Sequence, residues 1–464
     1  MQKYRNEHDL LGDKQVPMEV YYGVQTVRAM ENFVVSKVPI SSFPFLIQSL
    51  GYIKKATALA NMDYKILDPV VGKAIIEACD EIIAGKHLDQ FPVDCIQGGA
   101  GTSTNMNANE VIANRALELL GKEKGDYKTV HPNNHVNLSQ STNDVYPTSI
   151  RMTAAWKLEG LLTELQNFKE ALEAKGIEFH DVIKMGRTQL QDAIPMTLGQ
   201  EFSAWAVSVG EDIERLRITQ TLMYAINMGA TAIGTGLNAP RGYAEVVTKH
   251  LAALTGLPLT SSQNLIQATH DTGAFIELSG VLKRIAAKVS KICNDLRLLS
   301  SGPRAGINEI NLPPMQPGSS IMPGKVNPVI PEVVNQVAFD VIGNDLSITL
   351  AAEAGQLELN VMEPLIAFKL FTSINQLTNV LKILRERCIV GITANKERCR
   401  KMVKNSIGLV TALVPTLGYE KCSEIAKKAL KTDGSVYKIV LEEGYLSKED
   451  LDRILSPESM LQPF

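Results

Sequence analysis

The chain has 464 residues, of which 45% are hydrophobic and 21% are charged, and its formal net charge is −3. This composition is typical of a globular protein of roughly two or three domains, and it excludes the basic footprint of a nucleic-acid-binding protein. No apolar run approaches the roughly eighteen residues that span a bilayer, so we expect no membrane partner. The six cysteines are scattered without a CxxC pair. That spacing predicts reduced thiols in a cytoplasmic protein, and neither a disulfide framework nor a zinc site.

The N-terminal part begins with a polar stretch, residues 1–45, that we interpret as irregular. Apolar residues then follow helical spacing over residues 49–84. A glycine-rich loop, residues 98–105, precedes a further predicted helix over 107–120, and such a loop can hold an anion at the helix N-terminus. It is not a dinucleotide fingerprint, because no Val/Ile-rich strand precedes it and the GxGxxG spacing is absent.

Long amphipathic helices dominate the middle of the chain. Their predicted ranges are 152–174, 197–224, 272–299, 332–354 and 363–390. Polar loops precede the first two, at 131–144 and 186–193. Five long helices with almost no strand signal predict an all-α fold built on a long antiparallel helix bundle. Their wide apolar stripes predict that the chain forms oligomers.

Changes in this pattern divide the chain into three predicted domains. Residues 1–143 form an N-terminal helical domain, and residues 144–395 form the central long-helix bundle. Residues 396–464 form a small C-terminal helical domain.

One stretch, residues 317–328, fits neither a helix nor a strand. It reads Pro-Gly-Ser-Ser-Ile-Met-Pro-Gly-Lys-Val-Asn-Pro, so hydroxyls, backbone N–H groups and one ammonium lie close together in the chain. That combination suits an anion, and a carboxylate in particular. Most Gly/Pro stretches are surface connectors. Here Ile321, Met322 and Val326 are apolar, which predicts that the loop packs against the protein.

The four polar loops at 98–105, 139–144, 186–193 and 317–328 share Ser, Thr, Asn, Gln and Gly and carry almost no acid, Cys or His. They therefore lack zinc ligands, the paired carboxylates of a glycosidase and a GxSxG nucleophile elbow. What remains is a cage of neutral donors for an anion. Such a cage suits proton removal next to a carboxylate, where an enediolate forms. The competing interpretation is that these residues only cap helices, which is their commonest role.

The stretch Gly318-Ser-Ser-Ile-Met-Pro-Gly-Lys-Val-Asn-Pro328 resembles the signature loop of the aspartase/fumarase superfamily. The resemblance runs from Tyr21-Tyr-Gly-Val24 to the C-terminal domain. It implies three mostly helical domains, with the central bundles of four subunits joined into a twenty-helix core. It also implies a homotetramer whose active sites are each built from three subunits, which would bring the separate loops together.

Three positions resemble the aspartase branch rather than the fumarases. Gln189 stands where class II fumarases usually have His, and Thr142 stands where they more often have Ser. The sequence Asn327-Pro-Val-Ile-Pro-Glu332 also resembles aspartases, because fumarases tend to continue Asn-Pro-Thr-Gln. The resemblance therefore implies reversible deamination of L-aspartate to fumarate and ammonia.

By the same resemblance, Ser319 is the general base that removes the C3 proton. The other residues would bind parts of the substrate: Thr102, Ser141, Thr142 and Ser320 the β-carboxylate, Thr188, Lys325 and Asn327 the α-carboxylate, and Asn143 and Gln189 the amino group. No organic cofactor is expected, because the substrate's carboxylate is the electron sink. No metal site is predicted, although some members are activated by a divalent metal. Two alternatives stay open: a fumarate hydratase on the same scaffold, and a helical scaffold or binding protein without activity.

Overall fold

The structure is a computed structural model that describes residues 3–460. Its α-helices follow one another along most of the chain. They are α1 Val24–Asn32, α2 Pro44–Asp63, α3 Pro69–Ile83, α4 Thr102–Leu119, α5 Thr142–Glu178, α6 Leu198–Thr221, α7 Tyr243–Thr255, α8 Leu265–His270, α9 Gly273–Leu299, α10 Val329–Glu353, α11 Glu363–Arg387, α12 Lys396–Asn405, α13 Val414–Leu417, α14 Tyr419–Thr432, α15 Val436–Glu442, α16 Lys448–Ile454 and α17 Pro457–Met460. The predicted all-α class is confirmed.

Within residues 3–460 the β-structure consists of four two-stranded sheets. The strands are β1 Tyr4–Asp9, β2 Gly12–Pro17, β3 Ile183–Thr188, β4 Gln191–Thr197, β5 Ala225–Ile226, β6 Thr260–Ser261, β7 Ile310–Asn311 and β8 Thr393–Ala394. The pair β5–β6 is parallel and the other three pairs are antiparallel. The expectation of an irregular stretch over 1–45 is therefore wrong, because β1, β2 and α1 occupy much of it.

The chain folds into two compact units. Of the described residues, the first contains 3–162, 214–284 and 339–377, and the second contains 163–213, 285–338 and 378–460. The three-domain division stays a prediction.

Four of the five long helices, α6, α9, α10 and α11, match their predicted bounds to within three residues. Along α9 the residues Phe275, Leu278, Leu282, Ile285 and Val289 are all buried, which is the three- and four-residue spacing of one helix face. Helix α5 begins ten residues earlier than predicted, at Thr142 instead of 152. The first residues of α5 are polar because they make specific hydrogen bonds, so the apolar period alone does not reveal them.

Polar contacts inside each unit show how two of these helices pair. In the first unit, Ser279 of α9 donates to Asp345 of α10 at 2.8 Å. In the second unit, Asn335 of α10 donates to Ser290 of α9 at 2.8 Å. The later residue of α9 thus pairs with the earlier residue of α10, so the two helices are antiparallel, as the sequence predicts. Within residues 3–460, no helix is both long and apolar enough to cross a membrane.

The start of α4 packs tightly against α5. Gly101, the residue before α4, has φ +88°, and a Cβ there would lie 2.4–2.7 Å from ring carbons of Tyr146. Tyr146 is itself 2% exposed. Only glycine therefore allows the chain to turn into α4 this close to α5.

We expect Gly101→Ala to destabilise the protein by about 2–4 kcal/mol, the sum of left-handed backbone strain and overpacking. Gly121→Ala is the matched control, because Gly121 has φ +69° and no heavy atom within 4 Å of its Cβ position. That control should cost only about 1 kcal/mol. Urea unfolding of both variants measures the difference, and equal losses would contradict the proposed contact with Tyr146.

Candidate functional site

Thr102 is the first residue of α4 and is exposed. Its hydroxyl donates to the carbonyl of Gly99 at 2.7 Å, within the preceding turn. The glycine-rich loop thus ends in an accessible hydroxyl whose oxygen retains lone pairs for another donor.

Ser141 and Asn143 lie at the start of α5. The Ser141 hydroxyl accepts the Asn143 backbone N–H at 3.2 Å, so it caps the helix as the competing interpretation proposes. The Asn143 side-chain amide donates to the carbonyl of Ala232 at 2.7 Å. The Asn143 carbonyl has no helical donor because Pro147 follows four residues later, and the Asn227 amide donates to it instead at 3.0 Å.

Thr142 connects the starts of α4 and α5. Its side chain is buried, and its hydroxyl oxygen accepts a hydrogen bond from the Asn105 amide at 3.0 Å. Asn105 lies in the first turn of α4, shortly after Thr102. The four predicted site residues of the first unit, Thr102, Ser141, Thr142 and Asn143, therefore lie at two helix starts that share one hydrogen bond.

Lys54 lies behind these helix starts and was missed by the sequence analysis. It is on α2, is 0% exposed, and donates to the side-chain oxygens of Asn105, Asn137 and Gln140 at 2.7, 3.0 and 2.8 Å. One signal could have found it. Lys54 is four residues after Leu50 on the apolar face of a predicted helix, where a lysine is out of place unless it is hydrogen-bonded.

Asp144 is a second buried charge that the sequence analysis missed. Its carboxylate accepts backbone N–H groups of Ser141, Gly229 and Thr231 at 3.0, 3.1 and 2.9 Å. Burial raises the pKa of Asp144, and burial lowers the pKa of Lys54, while the attraction between the two charges opposes both shifts. Asp144 thus fixes the backbone of the site residues next to it.

Thr188 ends β3 and Gln189 begins the turn to β4, in the second unit. The region 186–193, expected to be a loop, is therefore part of a hairpin, in which Thr188 pairs with Gln191. The two turn residues Gln189 and Leu190 have φ +54° and +62°, so both adopt the left-handed conformation of a type I′ turn. Thr188, Gln189 and Leu190 are all exposed at the tip. Local sequence predicted a loop because Gln-Leu lacks the Asn-Gly signature of such turns.

A cluster of charged side chains around the buried Glu309 stabilises this hairpin. Glu309 is 0% exposed and lies 3.1 Å from the Lys184 ammonium and 2.8 Å from the Arg187 guanidinium. Lys184 also contacts Glu201 at 2.5 Å. These ion pairs fix β3 at Lys184 and at Arg187, which directly precedes Thr188.

The loop 317–328 is closed at its base by two hydrogen bonds. The Gly318 N–H donates to the Lys325 carbonyl at 2.7 Å, and the Asn327 amide donates to the Gly318 carbonyl at 2.7 Å. Between these points, Ser320 to Val326 are exposed. The expectation that the apolar side chains pack the loop against the protein is wrong for the single chain, since Ile321 is 83% exposed.

Ser319 has a defined hydroxyl environment within this loop. Its oxygen accepts the backbone N–H groups of Ile321 and Met322 at 3.2 and 3.0 Å. Two donors aimed at one hydroxyl oxygen favour its deprotonated form.

Chemically, the arrangement offers neutral hydrogen-bond donors and one exposed ammonium, Lys325. Among residues 3–460, no group of three His, Cys, Asp or Glu side chains could hold a metal ion. In the described part of the second unit, no hydrogen bond or ion pair joins the hairpin tip to the loop 317–328. Ser319, Ser320, Lys325 and Asn327 are thus gathered in one loop, whereas Thr188 and Gln189 lie at a separate tip.

Comparisons with known proteins show which family the chain belongs to. The family described as Lyase matches residues 12–343, and the family described as Fumarase C C-terminus matches residues 409–462. An aspartate ammonia-lyase of Pseudomonas aeruginosa is 59% identical over 99% of this chain and 97% of its own length. One from Escherichia coli is 54% identical over 99% of this chain and 96% of its own length.

The chain belongs to the aspartate ammonia-lyase family of the aspartase/fumarase superfamily. It is therefore a carbon–nitrogen lyase, as the sequence predicts.

Two solved structures show the superfamily fold. A fumarate lyase/delta crystallin from Brucella melitensis, bound to cobalt, has a TM-score of 0.97 and 53% identity, covering 99% of this chain and all of that chain. A class II fumarase from Schistosoma mansoni has a TM-score of 0.94 at 36% identity, covering 99% of both chains. The aspartase/fumarase backbone is thus kept while the sequences diverge.

Gly318→Ala should open the base of the signature loop. An added Cβ would lie 2.5 Å from the Lys325 carbonyl oxygen and 2.9 Å from the Asn327 backbone nitrogen. Both are backbone atoms, so the clash cannot be relieved by rotating a side chain. We expect amides in 318–327 to exchange with deuterium faster, by about fivefold, because a closing hydrogen bond worth about 1 kcal/mol is lost.

The matched control is Gly324→Ala, at the tip of the same loop. Its Cβ position has no heavy atom within 4 Å, although its φ is +83°. Exchange at the Gly318 and Lys325 amides should stay near the wild-type rate in this control. If the two variants exchange alike, the loop is not closed at Gly318.

Proposed function

We propose that this lyase converts L-aspartate to fumarate and ammonia, reversibly. Curated relatives at 54–59% identity over nearly the whole chain are named aspartate ammonia-lyase. The aspartase-like residues Thr142 and Gln189 support the same substrate.

The observation that carries the mechanism is the pair of N–H groups directed at the Ser319 hydroxyl, from Ile321 and Met322. A serine is ordinarily too weak an acid to act as a base at neutral pH. Donors at 3.2 and 3.0 Å stabilise its alkoxide, and the ammonium of Lys325 in the same loop adds a positive charge nearby in the chain. We therefore assign Ser319 as the general base.

The reaction proceeds in two steps: the C3–H bond breaks in the first, and the C2–N bond breaks in the second. Ser319 takes the C3 proton, and the electron pair of that C–H bond moves into the β-carboxylate, which becomes an enediolate. The pair then returns to form the C2–C3 double bond as the C2–N bond breaks. Ammonia leaves, fumarate remains, and the serine loses its proton to solvent.

The substrate's two carboxylates need donors on both sides. For the β-carboxylate we propose Thr102, Ser141, Thr142 and Ser320. The hydroxyls of Ser141, Thr142 and Ser320 can donate as charge grows there, whereas Thr102 must first release its hydrogen bond to the Gly99 carbonyl. For the α-carboxylate we propose Thr188, Lys325 and Asn327. Asn143 and Gln189 would face the amino group.

No organic cofactor is needed in this scheme, because the β-carboxylate stores the electron pair. Activation by a divalent metal would then act outside the reacting atoms. We also propose a cytoplasmic location, which is supported by six buried, unpaired thiols.

The first experiment measures fumarate formation by ultraviolet absorbance, with L-aspartate and L-malate as parallel substrates. We expect absorbance with aspartate only. Signal with malate only would replace the proposal by fumarate hydratase, and silence with both would favour a different amino-acid substrate or a scaffold without activity.

Ser319→Ala should lower kcat by about 10²–10⁴-fold with the fold intact, because the proton acceptor is lost. Gln316→Ala, an exposed residue just before the loop, is the control and should retain activity.

We propose a homotetramer in which three subunits contribute to each active site. Helix α10 carries a stripe of exposed apolar residues, Phe339, Ile342, Leu346 and Leu350, at the spacing of one helix face. Phe339 and Leu346 are 64% and 61% exposed in the single chain. Such a stripe on a long helix is typical of a subunit interface. Assembly would also supply the neighbours that the exposed hairpin tip and signature loop lack.

Leu346→Glu should therefore break the assembly and abolish most activity together, because a charge would be buried without a partner. Analytical ultracentrifugation and the fumarate assay measure the two effects. Leu430→Glu is the control, since Leu430 is similarly exposed, at 68%, on α14. A Leu346→Glu variant that is monomeric and fully active would show that each chain has a complete site.

A further inference from the structure

The ammonium of Lys54 is buried without a counter-ion in contact. It is 0% exposed, and within the described residues no carboxylate oxygen lies within ion-pair distance of its Nζ. Its three donors instead meet three amide oxygens, those of Asn105, Asn137 and Gln140, at 2.7–3.0 Å. An ammonium has three protons and accepts nothing, so this shell uses all of them.

This shell decides which way each amide points. In its protonated form Lys54 can only donate, so Asn105 turns its oxygen to Lys54 and its NH₂ group away from it. That NH₂ group donates to Thr142 Oγ1 at 3.0 Å and to Asn137 Oδ1 at 3.1 Å. The Thr142 hydroxyl oxygen thus accepts a hydrogen bond from within the protein. The hydroxyl proton of Thr142 can therefore be donated to another group.

The side-chain amides of Gln140 and Asn137 are oriented by Lys54 in the same way, and they hold the backbone segment before Thr142. With its oxygen on Lys54, the Gln140 side-chain NH₂ donates to the carbonyls of Val136 and Leu138 at 2.9 and 3.1 Å. The Asn137 NH₂ donates to the Gln140 carbonyl at 3.3 Å. One ammonium therefore orients three amides, and these amides hold the backbone that leads into α5.

We infer that Lys54 is a positioning residue that, through Asn105, turns the Thr142 hydroxyl into a donor for the dicarboxylate substrate. A carboxylate accepts hydrogen bonds and cannot donate them, so a hydroxyl whose proton already served the protein could not bind it. The inference rests on the proposed function, and it gives a physical reason why the Thr142 hydroxyl binds an anion. It also accounts for a buried charge that makes no ion pair.

The sharpest test reverses the direction of the Asn105–Thr142 hydrogen bond. In Asn105→Asp the side chain keeps its size and still accepts from Lys54, but it no longer has an NH₂ group for Thr142. Thr142 would then donate to the new carboxylate and turn away from the substrate. We expect kcat/KM for L-aspartate to fall at least tenfold, about as much as in Thr142→Val.

Lys54→Met removes the donors at similar side-chain length. We expect a comparable loss, and no further loss when it is combined with Thr142→Val, because both changes remove the same hydroxyl donor. Lys55→Met is the matched control: Lys55 lies one residue further along α2 and pairs with Asp80 at 2.5 Å. That variant should keep wild-type kcat and KM. The inhibition constant of succinate, which lacks the amino group, should rise in Lys54→Met and Asn105→Asp but not in Lys55→Met.

The outcomes separate this inference from the proposed function. If the wild-type protein makes no fumarate from aspartate, the proposed function fails. If the wild type is active and Asn105→Asp matches it in kcat/KM and succinate inhibition, the positioning role of Lys54 is overturned. Fully additive losses of Lys54→Met and Thr142→Val would also overturn it, since they would show a general structural effect. Asn105→Asp retains a partner for Lys54, so the test stands even if Lys54→Met does not fold.

Discussion

The hydrogen bond from Asn105 to Thr142 is the contact on which the rest of the candidate site in the first unit depends. It joins the starts of α4 and α5 at 3.0 Å, directly beside the close approach of Gly101 to Tyr146. Because a helix start exposes backbone donors and carries a partial positive charge, two such starts side by side favour an anion. The site is therefore built from rigid elements rather than from loop residues alone.

Behind this contact lies an unusual distribution of charge. Lys54 and Asp144 are both fully buried, yet each makes its hydrogen bonds to neutral amides or backbone N–H groups instead of to the other. Burying a charge is costly unless its hydrogen bonds are complete, and here the three protons of Lys54 are all used. The consequence is a surface of neutral donors whose directions are set from inside the protein.

In the second unit, the candidate site residues lie on exposed segments instead of at buried helix starts. The hairpin tip at Gln189 and the signature loop at Ser319 are exposed, but each is closed at its base, by a buried ion cluster around Glu309 and by the Gly318–Lys325 hydrogen bond. Such segments can meet a substrate or a neighbouring subunit without losing their own shape. In the first unit, the exposed apolar stripe on α10 is the surface that the proposed assembly would cover.

The helical class and the long helices could be predicted from the sequence because apolar residues repeat along them with a helical period. The signature loop could be predicted because its glycines and prolines break that period. The hairpin at 183–197 could not, because Gln189 and Leu190 do not carry the usual turn residues and the strands are short. The early start of α5 was missed because its first turn is held by polar contacts with distant residues.

By itself, the sequence determined the fold class, since apolar periodicity is local. Its resemblance to the aspartase/fumarase superfamily supplied the list of candidate binding residues. Only the tertiary structure showed that Lys54 on α2, Asn105 on α4 and Thr142 on α5 form one chain of hydrogen bonds. These residues are far apart in sequence, and the direction of a hydrogen bond depends on which groups meet in space. Donor and acceptor roles at this site are thus a property of packing, which no local pattern records.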